Sequence, residues 1–180
     1  MGYIAAINKA WEGLFSLSPG PRLSLKFLAE EFNVKIQERE VVSLVNNAPA
    51  KDFSAILILH YLAQRLKGLP LLTGEWLTFR EFSGIEGYYP AFKKRAIEPI
   101  IRKFGNNPEK ISSVLEKLPA KKTEGADAAI IVDAFEGVPA LIKVWKADAE
   151  FGPDANIYFD RSITDILHRG YCSFGRADRL

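Results

Sequence analysis

The stretch DFSAILILHYLAQRLKG (52–68) constrains this chain more than any other. It spells one helix, with Asp52 as the expected N-cap and Gly68 just past the end. Ala55, Ile56, Leu57, Ile58, Leu59, Tyr61 and Leu62 make it apolar nearly all round, so it has little solvent face to offer. Such a helix must lie at the centre, with other elements wrapped around it. The chain has 180 residues, 48% hydrophobic and 26% charged, which is enough to build that wrapping within one domain without covalent staples.

The flanking sequence names the other elements. Ile4, Ile7, Trp11 and Leu14 recur at helical spacing and predict an amphipathic first helix, stopped by SPGP (18–21). The segment LSLKFLAEEF that follows is open between a strand and a short helix. NVKIQEREVVSL alternates and predicts two short strands, with NNAPAKD as a loop. GEWLTFREFSG predicts a short extended segment, and Ser83 with Glu86 matches a capping box. Phe92, Ile97, Ile100, Ile101 and Phe104 form a helical face that Pro99 should kink and Gly105 should end. Asn107 and Pro108 open another helix, with Ile111, Val114, Leu115 and Leu118 inward. KLPAKKTEGAD reads as a polar loop. AAIIVDAFEGVPALIKVW reads as two strands about Glu136-Gly137. NIYFD is a third strand, with Ile157 and Phe159 on one face and Tyr158 on the other, and RSITDIL begins a last helix.

Helices therefore fill the first two thirds and strands the last, without βαβ alternation. The expected class is α+β: an antiparallel sheet, drawn mainly from the C-terminal third, packed against several helices. Residues 1–180 are one domain in this reading, with 168–180 a candidate flexible tail.

Composition removes several function classes. With 24 basic and 22 acidic residues the net charge is only +2, and no concentrated basic patch marks a nucleic-acid partner. A single cysteine, Cys172, rules out an intrachain disulfide, a Cys-only zinc site and an intrinsic iron–sulfur cluster, and it suggests the cytoplasm. No apolar run reaches a membrane span or resembles a signal peptide, so no membrane association is expected. G-x-G-x-x-G, Walker A and G-x-S-x-G motifs are absent, which argues against the usual routes of dinucleotide binding, nucleotide hydrolysis and serine-hydrolase chemistry.

The best functional question lies in VWKADAEFGPDANIYFDRS (144–162). In extended chain Asp148 and Glu150 project from one face, Asp154 sits in a Gly-Pro-Asp turn, and Asp160 closes the next strand. Asp148, Glu150 and Asp160 could together hold a divalent metal, or two of them could serve as acid and base. The structural alternative is that Asp154 shapes a turn, Asp160 or Ser162 caps a helix, and Asp148 and Glu150 accept backbone N–H groups. Trp76, Tyr88, Tyr89 and Trp145 are candidates to line a pocket, with core packing as their alternative role. Tyr88 and Tyr89 also precede Lys93, Lys94 and Arg95, a pattern that could clamp an anion. His60 falls in mid-helix, where a hydrogen-bonded core role is the commoner one, and the pair His168 and Cys172 lacks any orienting third group.

Three stretches carry a resemblance: GEWLTFREFSGIEGYYPAF, RAIEPIIRKFG and VWKADAEFGPDANIYFDRSITDIL. They are similar to the family catalogued as domain of unknown function 3786, over about Leu25 to Leu167. Its pattern of Trp, Asp-x-Glu-Phe and Phe-Asp-x-Ser falls on Trp145, Asp148, Glu150, Phe151, Phe159, Asp160 and Ser162. The resemblance implies a cytoplasmic module of anaerobic bacteria and archaea, working beside a redox or corrinoid/iron–sulfur protein, with no assigned activity. Some relatives look joined to a four-cysteine iron–sulfur domain, which this chain cannot supply. After Leu167 the chain reads HRGYCSFGRADRL, where the family pattern would have a further helical stretch. Two readings follow. One is a non-catalytic binding or accessory module; the other is a metal-dependent enzyme using Asp148, Glu150 and Asp160. Convergence of those carboxylates would favour the second.

Overall fold

The helix expected at the centre is there. In a computed structural model that describes residues 2–167, α2 (Asp52–Lys67) buries Ile56, Leu57, Ile58, Leu59 and Leu62 completely. Its cap is Lys51 rather than Asp52, which instead is the first helical residue, where its charge meets the positive end of the helix dipole. Gly68 ends it at φ 105°, a conformation open to glycine at little cost. The first helix, α1 (Gly2–Phe15), lies along α2 and buries Trp11 and Leu14, while Ile4 stays exposed. The expected tail, with His168 and Cys172, lies outside the described residues.

The segment left open after α1 is strand. β1 (Arg22–Phe27), β2 (Glu30–Lys35) and β3 (Glu40–Ser43) form an antiparallel meander. Leu25, Phe27, Phe32 and Val34 face the core, and the intervening polar side chains face out. The Leu28 N–H donates to the Ala134 carbonyl at 2.7 Å, tying this small sheet to a larger one.

That larger sheet contains β4 (Trp76–Thr78), β5 (Ala120–Thr123), β6 (Ala128–Phe135), β7 (Val138–Trp145) and β8 (Asp154–Asp160). Their order is β4-β8-β7-β6-β5, and every neighbouring pair is antiparallel. The β6–β7 hairpin turns at Glu136-Gly137 as expected. Cross-strand partners Ile130, Ile142 and Ile157 share the inner face, with Val132 and Phe159 beside them. β5 corrects the expected polar loop. Lys121 and Lys122 hide its strand character from a hydrophobic pattern, but charge of this kind suits an edge strand that must not pair further.

Helices cover the inner face. α3 (Tyr89–Phe92), a π-helical turn (Lys93–Ile97) and α4 (Glu98–Phe104) run on without a break. The expected kink at Pro99 takes the form of that π-turn: the Glu98 N–H reaches five residues back to the Lys93 carbonyl, making room where Pro99 would crowd an α-helical turn. The segment Pro108–Glu116 is a 3-10 helix, and its buried residues Pro108, Ile111 and Val114 recur every third position, as that geometry requires. The capping box also moves. Glu81 accepts from both the N–H and the hydroxyl of Thr78 at 2.7 Å, while Glu86 takes the Gly84 N–H instead of pairing with Ser83.

α4 stops at Gly105, where a Cβ would stand 2.8 Å from Pro153 Cβ and 2.6 Å from the Ile101 carbonyl oxygen. Gly105→Ala is therefore expected to lower stability by about 1–2 kcal/mol despite alanine's better helix propensity, because overpacking outweighs it. Urea denaturation checks this, and Pro153→Gly in the same chain should recover part of the loss.

A candidate binding cleft at the Asp160 end of β8

β8 serves as a ruler for the predicted site. Asp154 at its start lies opposite Trp145, and Asp160 at its end lies opposite Trp76. Six residue steps separate the two ends, roughly 20 Å. Asp148 and Glu150 belong to the loop at the Asp154 end. The structure therefore does not bring Asp148, Glu150 and Asp160 together, and among the described residues no group of three His, Cys, Asp or Glu side chains could hold a metal ion. Trp76 and Trp145 are likewise at opposite ends. Tyr88 is exposed at the helix start, and Tyr89 packs near Phe79 with the Arg80 guanidinium 4.0 Å over its ring. The four pocket candidates are not gathered into one pocket. Lys93, Lys94 and Arg95 are exposed on the π-turn, and His60 is half-buried on α2.

Asp148 closes its own loop. Its Oδ1 accepts the N–H groups of Phe151 at 2.7 Å and Glu150 at 2.8 Å, and its own N–H donates to the Phe151 carbonyl. The Phe151 and Glu150 N–H groups hold the Asp148 carboxyl below the usual carboxylate range. Asp148 and Glu150 would share a face only in a strand, and this segment is a turn.

Asp160 is 3% exposed and does more. Its Oδ1 accepts the Thr73 N–H, the Thr73 hydroxyl and the Ser162 N–H, each at 3.0 Å, and its Oδ2 accepts the Gly74 N–H at 2.7 Å. Burial alone would raise its pKa. The Ser162 and Thr73 N–H groups, the nearby Ser162 hydroxyl and the Gly74 N–H outweigh that and lower it to about 2. The carboxylate is thus a clasp between the loop before β4 and the turn after β8. Arg161 reinforces it, with its N–H on the Glu75 carbonyl and its guanidinium 2.8 Å from the Glu75 carboxylate.

Beside the clasp opens a cleft of about 390 Å³. Thr73, Ser83, Ser162 and Thr164 supply hydroxyls, Glu81 and Asp165 supply carboxylates, and Leu77, Phe82 and Ile85 supply apolar surface. The sequence singles out Asp160, both as a metal or catalytic carboxylate and as a cap, and Ser162 as a cap. Thr73, Glu81 and Thr164 were missed, and Ser83 was read only as a capping-box residue. A T-x-x-E pattern at 78–81 is the one local signal that could have flagged Glu81. A second cleft, about 460 Å³, lies between β1, α2 and β6, with Lys26, Arg65, Glu31 and Asp133 on its walls.

Fold and site together define a single-domain α+β protein with a buried carboxylate clasp and a hydroxyl-lined cleft. No described helix is long and apolar enough to cross a membrane. The model of the family described as Domain of unknown function (DUF3786) matches residues 14–170, and the chain belongs to that family. No curated protein and no solved structure matches it.

Proposed function

We propose that this chain is a non-catalytic accessory module that docks on a partner protein through the loop between β7 and β8. The observation that carries this reading is Phe151, which is 71% exposed at the tip of that loop. A large ring left in water on a floppy loop would mean little. Here the loop is closed by Asp148, its two ends are zipped together at the Trp145–Asp154 pair, and Pro153 packs into the space that Gly105 leaves open. Presenting the ring therefore costs little further ordering on binding. Residues 146–154 carry Asp148, Glu150 and Asp154 against Lys146 alone, so the fitting partner has an apolar pocket rimmed by Lys or Arg.

The partner class is the one the family implies, a redox or corrinoid/iron–sulfur protein in the cytoplasm of an anaerobe. The competing reading, a metal-dependent enzyme built on Asp148, Glu150 and Asp160, is disfavoured by their separation along β8 and by the backbone donors that occupy Asp148 and Asp160.

The test places p-benzoylphenylalanine at position 151 of the full chain and irradiates it in an extract of the source cells. One partner should be captured, with a yield that falls about tenfold in about 0.5 M salt and in a Glu150→Lys, Asp154→Lys variant. A cyclised 146–154 peptide should compete. Phe151→Ser should abolish partner binding and leave thermal stability unchanged. Self-crosslinking, or products that neither salt nor the peptide affects, would sink the proposal.

A further inference from the structure

We infer that the open edge of β1 is a docking site for an extended peptide segment of a partner protein, with an acidic residue that meets Arg22 and Arg65. The site lies on the small sheet and is independent of the loop between β7 and β8.

The ladder is the first reason. The Ile36 N–H donates to the Pro21 carbonyl, and Phe27 pairs with Glu30 across a two-residue turn. Hydrogen-bonded and non-hydrogen-bonded pairs alternate along an antiparallel ladder. Pro21, Leu23, Leu25 and Phe27 therefore spend their main-chain groups on β2, and Arg22, Ser24 and Lys26 turn theirs to the other side. Among the described residues one of these outward groups has a partner: the Ser24 carbonyl accepts from the Arg65 guanidinium at 3.3 Å. That bond is long and exposed, so a peptide N–H can take its place.

The other edges are closed or short. Beyond β3 the Ser43 N–H donates to the Ala48 carbonyl and the Ala50 N–H to the Val41 carbonyl, so the following loop covers that side. In the large sheet β4 has three residues, and the short β5 carries Lys121 and Lys122. β1 is longer than either, and an open ladder is what a strand-adding peptide pairs with. The cleft of about 460 Å³ runs beside this edge, lined by Ser24 and Lys26 and by the buried rings of Tyr61 and Phe135.

Charge decides the occupant. Arg22 and Lys26 are exposed and share the outward face of β1 with Ser24. A second copy pairing antiparallel about Ser24 would set Arg22 opposite Lys26 twice, and like charges placed so repel. A strand bearing a carboxylate is attracted instead, and Arg65, released from the Ser24 carbonyl, adds another cation. Asp133 and Glu136 line the cleft at the hairpin end, where Leu28 is tied to Ala134, so the acid belongs at the Arg22 end. The next residue of the peptide points to the opposite face, where an apolar side chain meets Tyr61 and Phe135.

The probe is the capped peptide Val-Asp-Val-Asp-Val, titrated into the ¹⁵N-labelled full chain to about 5 mM, enough to fill most of a site of about 1 mM affinity. Saturable shifts should be several times larger at the N–H groups of Arg22, Ser24 and Lys26 than at those of Leu23 and Leu25, which the ladder already holds. Ser24→Pro deletes an outward N–H and no ladder bond, so it should abolish binding and leave the melting temperature unchanged. Arg22→Glu should weaken binding about tenfold. The same peptide with Lys for Asp, and its fully N-methylated form, should not bind. Equal shifts in both sets of amides, binding by either control peptide, or no saturable shift would overturn the inference. So would slow hydrogen exchange at Ser24 and Lys26 in the free chain, or a dimer that Ser24→Pro disperses, since either shows the edge already taken.

Discussion

Phe135→Ala is expected to lower the unfolding free energy by about 4 kcal/mol and the melting temperature by about 12 °C. Phe135 is 1% exposed and sandwiched: its ring lies 4.7 Å from Phe27 and 4.3 Å from Tyr61, at 21° and 11° to them. Those three rings belong to β1, β6 and α2, so one side chain joins the small sheet, the large sheet and the central helix. Truncation removes two stacking contacts as well as the buried area, and it leaves a cavity that three elements in different directions cannot close together. Phe135→Leu should cost less than half as much. Tyr61→Phe should cost about 1 kcal/mol, the value of the bond from the Tyr61 hydroxyl to the Glu136 carbonyl at 3.0 Å. Guanidinium denaturation followed by circular dichroism and by tryptophan fluorescence checks all three. The two probes should coincide in each variant, because both sheets share this stack. Separate transitions would show that the meander unfolds on its own.

How much of this was legible depended on where the residues get their instructions. α2 was readable because its apolar residues leave no outward face, and β8 because Ile157 and Phe159 alternate with Tyr158. The β6–β7 hairpin was readable from two apolar runs about a glycine. β1 was ambiguous because Ser24 and Lys26 interrupt an apolar set too short to show a period, and β5 was invisible because an edge strand is selected for charge. The π-turn and the 3-10 helix follow from Pro99 and from a three-residue spacing that an α-helical reading passes over.

The sites were less legible still. Asp160 looked like a helix cap, and it does accept the Ser162 N–H, yet its other donors come from Thr73 and Gly74, more than eighty residues away in sequence. Nothing local announces such a contact. Asp148 and Glu150 misled in the opposite way. Their spacing suggested convergence, and only the closed turn shows that one of them serves the backbone while the other faces solvent.

Asp160→Ala is expected to cost about 3 kcal/mol, or about 9 °C in melting temperature. The carboxylate satisfies three backbone N–H groups and one hydroxyl. Its removal leaves the Ser162 N–H without a partner in a buried turn, while Thr73 and Gly74 can turn to water, so the loss is smaller than four charged bonds would suggest. Charge is part of the effect. The native carboxyl titrates at about 2 against an ordinary 3.8, so its stabilisation is complete above about pH 4 and is lost as the pH falls through about 2. That share is about 1–2 kcal/mol once screening by solvent at this edge of the sheet is allowed for. Asp160→Asn should therefore sit between wild type and alanine at pH 7, and should lack the wild-type loss between about pH 4 and 2. Parallel acid profiles for wild type and Asp160→Asn would mean that the clasp does not depend on the ionised carboxylate. Asp160→Ala should also speed hydrogen exchange at Thr73 and Gly74, whose N–H groups lose their acceptor.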